Sequence, residues 1–221
     1  MATNSELIDR LARRCGSKTA TAFRAKIVDE VTAVIDLLEM GSFMPWFLEN
    51  EADLTTVAST RTVALPSDFL REVDDGVVYY QKSSTEYMEL VKTEKERLDA
   101  SFLTGDPGEP EGYALWGTNV YLGPTPDDAY TIKWPYYKSE QTANPFADNG
   151  NAVTNKWLIY ATEWMLSQAG YMLADFTLHN PQLALRFQAA VKTGRSEFIK
   201  SQTARDSTNR DYSDADKYAG E

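Results

Sequence analysis

The sequence holds one cysteine and one histidine in 221 residues. One thiol, Cys15, cannot close a disulfide within the chain, so no disulfide framework supports the fold. In the first helical segment it reads as a small apolar side chain. A lone histidine, His179, at a helix-to-helix joint reads as a surface or capping group rather than a catalyst. With so few of either residue there is no His/Cys cluster for a metal. No serine or cysteine has a base partner by motif. No glycine-rich loop with a lysine is present to cradle phosphate. The stretch FADNGNAVTN lacks the alternating carboxylates and terminal glutamate of an EF-hand. No apolar run approaches the roughly 18 residues of a membrane span. The opening MATNSELIDRLARR lacks the apolar core of a signal peptide. The expectation is a protein made and used in a cytoplasm, with no cofactor, no metal and no enzymatic activity.

Basic residues are also in deficit. Lys and Arg number 22 against 33 Asp and Glu, a net charge of −11. Such a chain does not grip nucleic acid over its whole surface, because the phosphates repel it. It can surround or pass DNA without adhering. Hydrophobic residues at 43% and charged residues at 25% are ordinary for a globular protein. The length fits one domain, or a domain with an insertion.

What is present is pattern. Residues 4–15 predict a short helix, capped by Asn4 or Ser5, with Leu7, Ile8 and Leu11 on one face and Gly16 ending it. A longer helix runs from about Thr19 to Met40, where Phe23, Ile27, Val31, Val34, Ile35 and Leu38 recur at helical spacing. Phe43, Trp46, Phe47 and Leu48 then cluster as the lid of a core or as a contact patch. From residue 54 the period becomes two. LTTVASTRTVAL reads as a strand, with Val57, Val63 and Leu65 on one side and Thr56 on the other. Pro66 and Asp68 make a corner, and GVVYYQ resumes extended structure. Residues 86–91 read as a strand and 93–101 as a helix, with Thr93 and Glu96 at capping-box spacing.

Residues 113–137 predict three antiparallel strands in a meander. Gly117-Thr118-Asn119 makes one connection and the segment from Gly123 to Asp128 the next. Residues 138–155 form a polar loop. Helices return at 155–175, capped by Thr154 or Asn155, and at 180–201, with Asn180 as cap and Pro181 at the first position. The last twenty residues have no aliphatic side chain larger than alanine, so alone they do not offset the entropy of ordering. The fold class predicted is α+β: an α-helical bundle of residues 1–50 and 154–201, an inserted small antiparallel β-sheet domain of residues 51–153, and an extended C-terminal arm, 202–221.

Three stretches together resemble the head-to-tail adaptor proteins of tailed bacteriophages, also called head-completion or connector proteins. They are Leu65-Pro66-x-Asp68-Phe69, the hairpin running from Gly117 through Tyr121, Pro124 and Pro126 to Asp127, and the helix start at Trp157-Leu158. The resemblance covers roughly residues 20–200. It implies a structural virion protein at the neck, in a dodecameric ring between portal and tail. Its partners are the portal protein, tail or nozzle proteins and identical subunits, with DNA only passing through the channel. The family has an arm that reaches the portal, and here residues 202–221 are suited to that part. Arg205, Arg210, Tyr212 and Tyr218 are its candidate portal-binding side chains, since arginine forks take carboxylates and tyrosines bury. Two other readings are weaker. One is a tail-associated module binding glycan or protein through the meander's aromatic face. The other is a hydrolase using Asp74, Asp75 or Asp127, which the turn context disfavours.

Overall fold

In the computed structural model the described residues are 3–16, 20–73, 76–142, 144–147 and 152–218, with side chains described as far as Thr203. Among them lie helices α1 (Asn4–Arg14), α2 (Thr21–Glu39), α3 (Lys95–Phe102), α4 (Lys156–Tyr160), α5 (Thr162–Met172) and α6 (Pro181–Tyr218). The strands are β1 (Glu49–Thr55), β2 (Thr62–Ala64), β3 (Phe69–Glu72), β4 (Tyr79–Ser83), β5 (Glu86–Glu89), β6 (Val91–Lys92), β7 (Gly112–Trp116), β8 (Asn119–Gly123) and β9 (Thr131–Lys138). The protein is α+β. It divides into two compact units, one from Met1–Phe47 with Glu140–Glu221 and one from Leu48–Ser139. The sequence reading drew its boundaries at 50/51 and 153/154, the first three residues and the second fourteen residues further along, because it assigned the polar loop 140–153 to the sheet domain.

In the helical unit, α1 begins with a capping box. Thr3 is the cap, not Asn4 or Ser5. Its hydroxyl accepts from the Glu6 amide at 3.2 Å, and the Glu6 carboxylate accepts from the Thr3 amide at 2.8 Å. A cap of this kind is worth about 1 kcal/mol. Leu7, Ile8 and Leu11 are buried as the spacing requires, as are Phe23, Ile27, Val31, Val34 and Ile35 of α2. The centre of the unit is α5, whose Trp164, Met165, Leu166 and Ala169 are buried. Both α2 and α6 pack against it. One continuous helix was expected over 155–175. The chain instead breaks at Ala161 (φ −125°, ψ 27°) and ends in a π-helical turn, Leu173–Thr177. Asn155 caps α4, accepting from the Leu158 amide at 3.3 Å. His179, at φ 48°, makes the left-handed turn into α6. Asn180 then caps that helix, accepting from the Leu183 amide at 3.1 Å.

The largest departure is at the C-terminal end. Residues 202–221 were expected as an extended arm, yet the backbone stays helical to Tyr218. No proline or glycine occurs between 202 and 219, so nothing interrupts the ladder begun upstream. Extending a formed helix fixes one residue per hydrogen bond and avoids the cost of nucleation.

The sheet unit has two sheets over one core. The first has the order β1-β9-β4-β5, with β3 also paired to β9; the second has β2-β8-β7-β6. All pairings are antiparallel except β6 with β7. Leu54, Tyr80, Tyr113, Val120, Leu122, Ile132, Trp134 and Tyr136 fill the space between them. The run 54–65 is not one strand. It turns at Ser59 (φ 61°) and passes from β1 in the first sheet to β2 in the second. Strands that switch sheets at such bends make the corners of a closed sandwich. The expected strand over 86–91 splits the same way at Leu90, between β5 and β6. Nor is the meander continuous: β7 and β8 pair in the second sheet, and β9 belongs to the first. Before α3, Thr93 does not cap. Its amide donates to the Tyr113 carbonyl at 2.9 Å, and Glu94 takes the cap position without a side-chain bond.

Candidate functional site

The motif residues build corners rather than a reaction centre. Leu65 donates its amide to the Thr118 carbonyl at 3.0 Å, fixing the end of β2 to the β7–β8 turn. The Pro66 carbonyl accepts from the Phe69 amide at 3.0 Å and closes the next turn. Asp68 is a brace: its carboxylate accepts from the Tyr136 hydroxyl at 3.0 Å, and its carbonyl accepts from the Ser139 amide at 2.8 Å. Phe69 stacks on the Tyr136 ring with 6.0 Å between centroids. The Pro66–Asp68 corner therefore clamps β3 onto the end of β9.

Gly117 takes φ +63° at the first position of a two-residue turn, with Trp116 and Asn119 paired across it. Only a residue without a β-carbon adopts that geometry freely. Tyr121 lies under Lys95, whose ammonium is 4.8 Å from the ring centroid. Pro124 follows a cis peptide bond. The Pro126 carbonyl accepts from the Ser59 amide at 2.8 Å, joining the β8–β9 crossing to the β1–β2 corner. Asp127 accepts from the Tyr130 hydroxyl at 2.7 Å. That bond, followed by burial, pushes the tyrosine well above the usual phenol range.

Trp157 belongs to the helical unit and is fully buried. Its indole nitrogen donates to Glu39 at 3.0 Å, and the same carboxylate oxygen accepts from the Glu140 amide at 2.9 Å. Edge contacts to Phe47 and Trp164 surround the ring. The aromatic cluster at 43–48 divides accordingly: Phe47 is core, whereas Phe43 stays 41% exposed. Sequence reading missed Glu39 because its carboxylate falls on an amphipathic helix where a solvated acid is the ordinary expectation.

Neither proposed chemical candidate finds support. Asp127 and Asp128 serve the turn: beside the bond of Asp127 to Tyr130, Asp128 accepts from the Ala129 amide at 2.7 Å and, through its carbonyl, from Thr56 at 2.9 Å. Asp74 and Asp75 lie outside the described residues. Cys15 is buried, which pushes its thiol from 9.0 up to about 11 and keeps it protonated. Among the described residues no group of three or more His, Cys, Asp and Glu is placed to hold a metal. Tyr113, Trp134 and Tyr136, the rings a glycan-binding meander would present, are buried in the core. The side chains of Arg205, Arg210, Tyr212 and Tyr218 fall outside the described set, on the helical backbone of α6.

Charge is divided unevenly between the units. Residues Leu48–Ser139 carry 17 acidic and 8 basic side chains, a net of −9. The rest of the chain carries 16 and 14. The exposed apolar groups of the helical unit include Leu37, Met40, Phe176 and Leu185. No helix among the described residues is long and apolar enough to cross a membrane. The site is thus a set of faces suited to contact with other macromolecules.

The family model described as SU10 adaptor protein matches residues 2–213. The chain belongs to the SU10 adaptor protein family. This agrees with the phage head-to-tail resemblance carried by the three motifs, and extends it over both units and into the last helix. No curated protein gives a significant match. Membership of an adaptor family implies interaction with other phage head and tail proteins.

Proposed function

We propose that this adaptor is a structural virion protein of the neck, assembled in the host cytoplasm. It forms a dodecameric ring between portal and tail, completes the head, helps retain packaged DNA and presents the tail's docking platform. The observation that carries the reading is the family match, which runs through both units and most of α6. In this reading the helical unit is a bundle that forms the ring wall, with the sheet unit inserted into it and projecting toward the tail or nozzle proteins.

Two physical features support it. The net charge of −9 on the sheet unit repels phosphate, so DNA passes that part of the ring without adhering. The helical stretch 202–218 adds about 25 Å to α6, enough to cross from one subunit to another protein. This stretch is the proposed portal-binding arm, with Arg205, Arg210, Tyr212 and Tyr218 as its contacts. Its helical backbone makes the arm a rod instead of an extended strand and cuts its reach to under half, at about 1.5 Å per residue where an extended chain spans about 3.3 Å.

The test is reconstitution. Full-length protein mixed with purified portal rings is sedimented and imaged. A ring of added density on the portal, with a fixed number of copies, is expected. Portal rings that remain bare at saturating protein would overturn the reading.

A further inference from the structure

We propose that the helical unit carries a carboxylate-binding pocket, which takes a glutamate or aspartate side chain of a partner protein between α1, α5 and α6. The pocket goes beyond the ring reading and does not depend on it. Its volume is about 310 Å³, and its lining includes Arg14, Glu163, Ser167, Leu183, Arg186 and Phe187. Glu163 is engaged on both oxygens: Oε1 accepts from Arg10, and Oε2 accepts from Arg14 at 2.9 Å. Arg186 is exposed, and among the described residues it has no ion partner. Three guanidiniums thus stand around one carboxylate, in a chain whose net charge is −11. Ser167 is only 2% exposed. A serine within a helix can bond the carbonyl four residues back, yet among the described residues this hydroxyl makes no hydrogen bond. It is a buried donor on the pocket wall, and an anion there would satisfy it.

The lining selects the ligand. Arg14, Arg186 and Ser167 all offer donors, so the group they take is an acceptor, and charge-assisted bonds from guanidinium forks to a carboxylate are the strong ones. Leu183 and Phe187 give the rest of the pocket an apolar wall, suited to the methylenes of a glutamate stem or to an apolar neighbour of it. Duplex DNA is the other polyanion to consider. It carries a charge about every 1.7 Å of its axis, so seating one phosphate sets others against Glu163, half exposed at the rim, and against a helical unit in which 16 acidic side chains outnumber 14 basic ones. A single side-chain carboxylate meets only the pocket. Glu163 is the resident competitor, since it already draws Arg10 and Arg14.

Isotopically labelled full-length protein is titrated with acetyl-Leu-Glu-Leu-amide, with its glutamine analogue and with a short DNA duplex, while the arginine side-chain signals are followed by NMR. The glutamate peptide is expected to shift the Arg14 and Arg186 signals in a saturable way, and the glutamine analogue to bind about tenfold or more weakly. Arg14→Ala and Arg186→Ala should each weaken the peptide by about tenfold, and Ser167→Ala by a smaller factor. Arg186→Lys, which keeps the charge and loses the fork, should recover part of the loss. Glu163→Gln should tighten binding, because the resident carboxylate no longer competes. Thermal melts of the variants confirm folding. A glutamate peptide that gives no saturable shift, an analogue that binds as well, or arginine variants that bind like wild type would overturn the proposal. A duplex that shifts the same signals at lower concentration than the peptide would also overturn it, and assign the pocket to phosphate.

Discussion

The Phe187 ring of α6 lies on Gly170 of α5 where no β-carbon fits: one built there would sit 2.3 Å from Cε1 and 2.5 Å from Cζ of the ring. A second glycine does the same work further along the pair. A β-carbon on Gly194 of α6 would lie 3.2 Å from Cα of Trp164 on α5. The two helices therefore approach closely at both points, which holds α6 on the unit over its first turns.

Substitution at Gly170 tests that approach. Alanine raises helix propensity by about 1 kcal/mol, so a gain is expected if space allows. Phe187 is only 6% exposed, and three of its ring atoms lie within 2.7 Å of the new β-carbon. The overpacking penalty, typically about 1–3 kcal/mol, then outweighs the propensity gain. Gly170→Ala should lower the midpoint of urea unfolding, and Phe187→Leu in the same chain should recover part of the loss. A more stable Gly170→Ala variant would show that the ring moves freely.

Glu39 is the second target. It accepts from Trp157 Nε1 and from the Glu140 amide inside the helical unit. Removing the acceptor leaves buried donors unpaired, at roughly 1–3 kcal/mol each. Glu39→Ala should lose about 2–4 kcal/mol by denaturant titration, and Glu39→Gln, which keeps an oxygen in place, distinctly less. Trp157 fluorescence should shift in the alanine variant even before unfolding begins.

Much of this was legible in the sequence, and the limits have physical causes. Helical stripes gave α1, α2 and the start of α6, because spacing at three and four reports burial directly. Asn180 and Gly117 were legible from turn chemistry alone. Period-two alternation found strand residues but not which sheet they join, because alternation continues through a bend such as the one at Ser59. Alternation puts Thr56 and Val57 on opposite sides, as found, but does not say which side is inward: Val57 is 62% exposed and Thr56 buried. A threonine hydroxyl that finds two backbone partners outranks a valine, and only tertiary structure shows the partners. Phe146, fully buried from a polar loop, was hidden for the same reason. The arm is helical instead of extended because continuing α6 needs no new nucleus, a gain that low hydrophobic content does not reveal.

Thr56 supplies the third prediction. Its hydroxyl accepts from the Tyr130 amide at 2.7 Å and donates to the Asp128 carbonyl at 2.9 Å. These bonds tie the end of β1 to the entry of β9. Thr56→Val keeps the shape and removes both bonds, so a loss of about 2–3 kcal/mol is expected. Thr56→Ser should retain most of the stability. Equal midpoints for the valine variant and wild type would remove the hydroxyl from the account of the corner.

Alkaline pH should destabilise the helical unit through Cys15. Burial raises the folded thiol from 9.0 to about 11. Below pH 9 both folded and unfolded states keep the proton, and the favourable contribution is complete. Between pH 9 and about 11 the unfolded chain loses the proton first, so stability falls as pH rises; above that both states are ionised and the decline ends. The full effect is roughly 2–3 kcal/mol. Cys15→Ala should flatten this part of the stability curve. A curve of the same slope with and without the thiol would assign the alkaline loss to other groups.

The last prediction concerns the rod at the C-terminal end. The anchoring contacts of α6 lie upstream, at Phe187, Gly194 and Phe198, and the Phe198 ring lies tilted against Trp164 with 5.3 Å between centroids. Deleting residues 202–221 leaves all of them in place, so the truncated chain should fold and melt within a few degrees of the whole. Gln202, 8% exposed, is the one described buried side chain removed, and it accounts for the small difference allowed. Portal binding is expected to be lost, because the deletion takes the proposed contacts away together. Restoring residues 202–221 with Tyr212→Ala and Tyr218→Ala should rebuild the helix and still bind poorly, which separates the length of the rod from the rings it carries. A truncated chain that binds portal as tightly as the full one would move the contact to the body of the subunit.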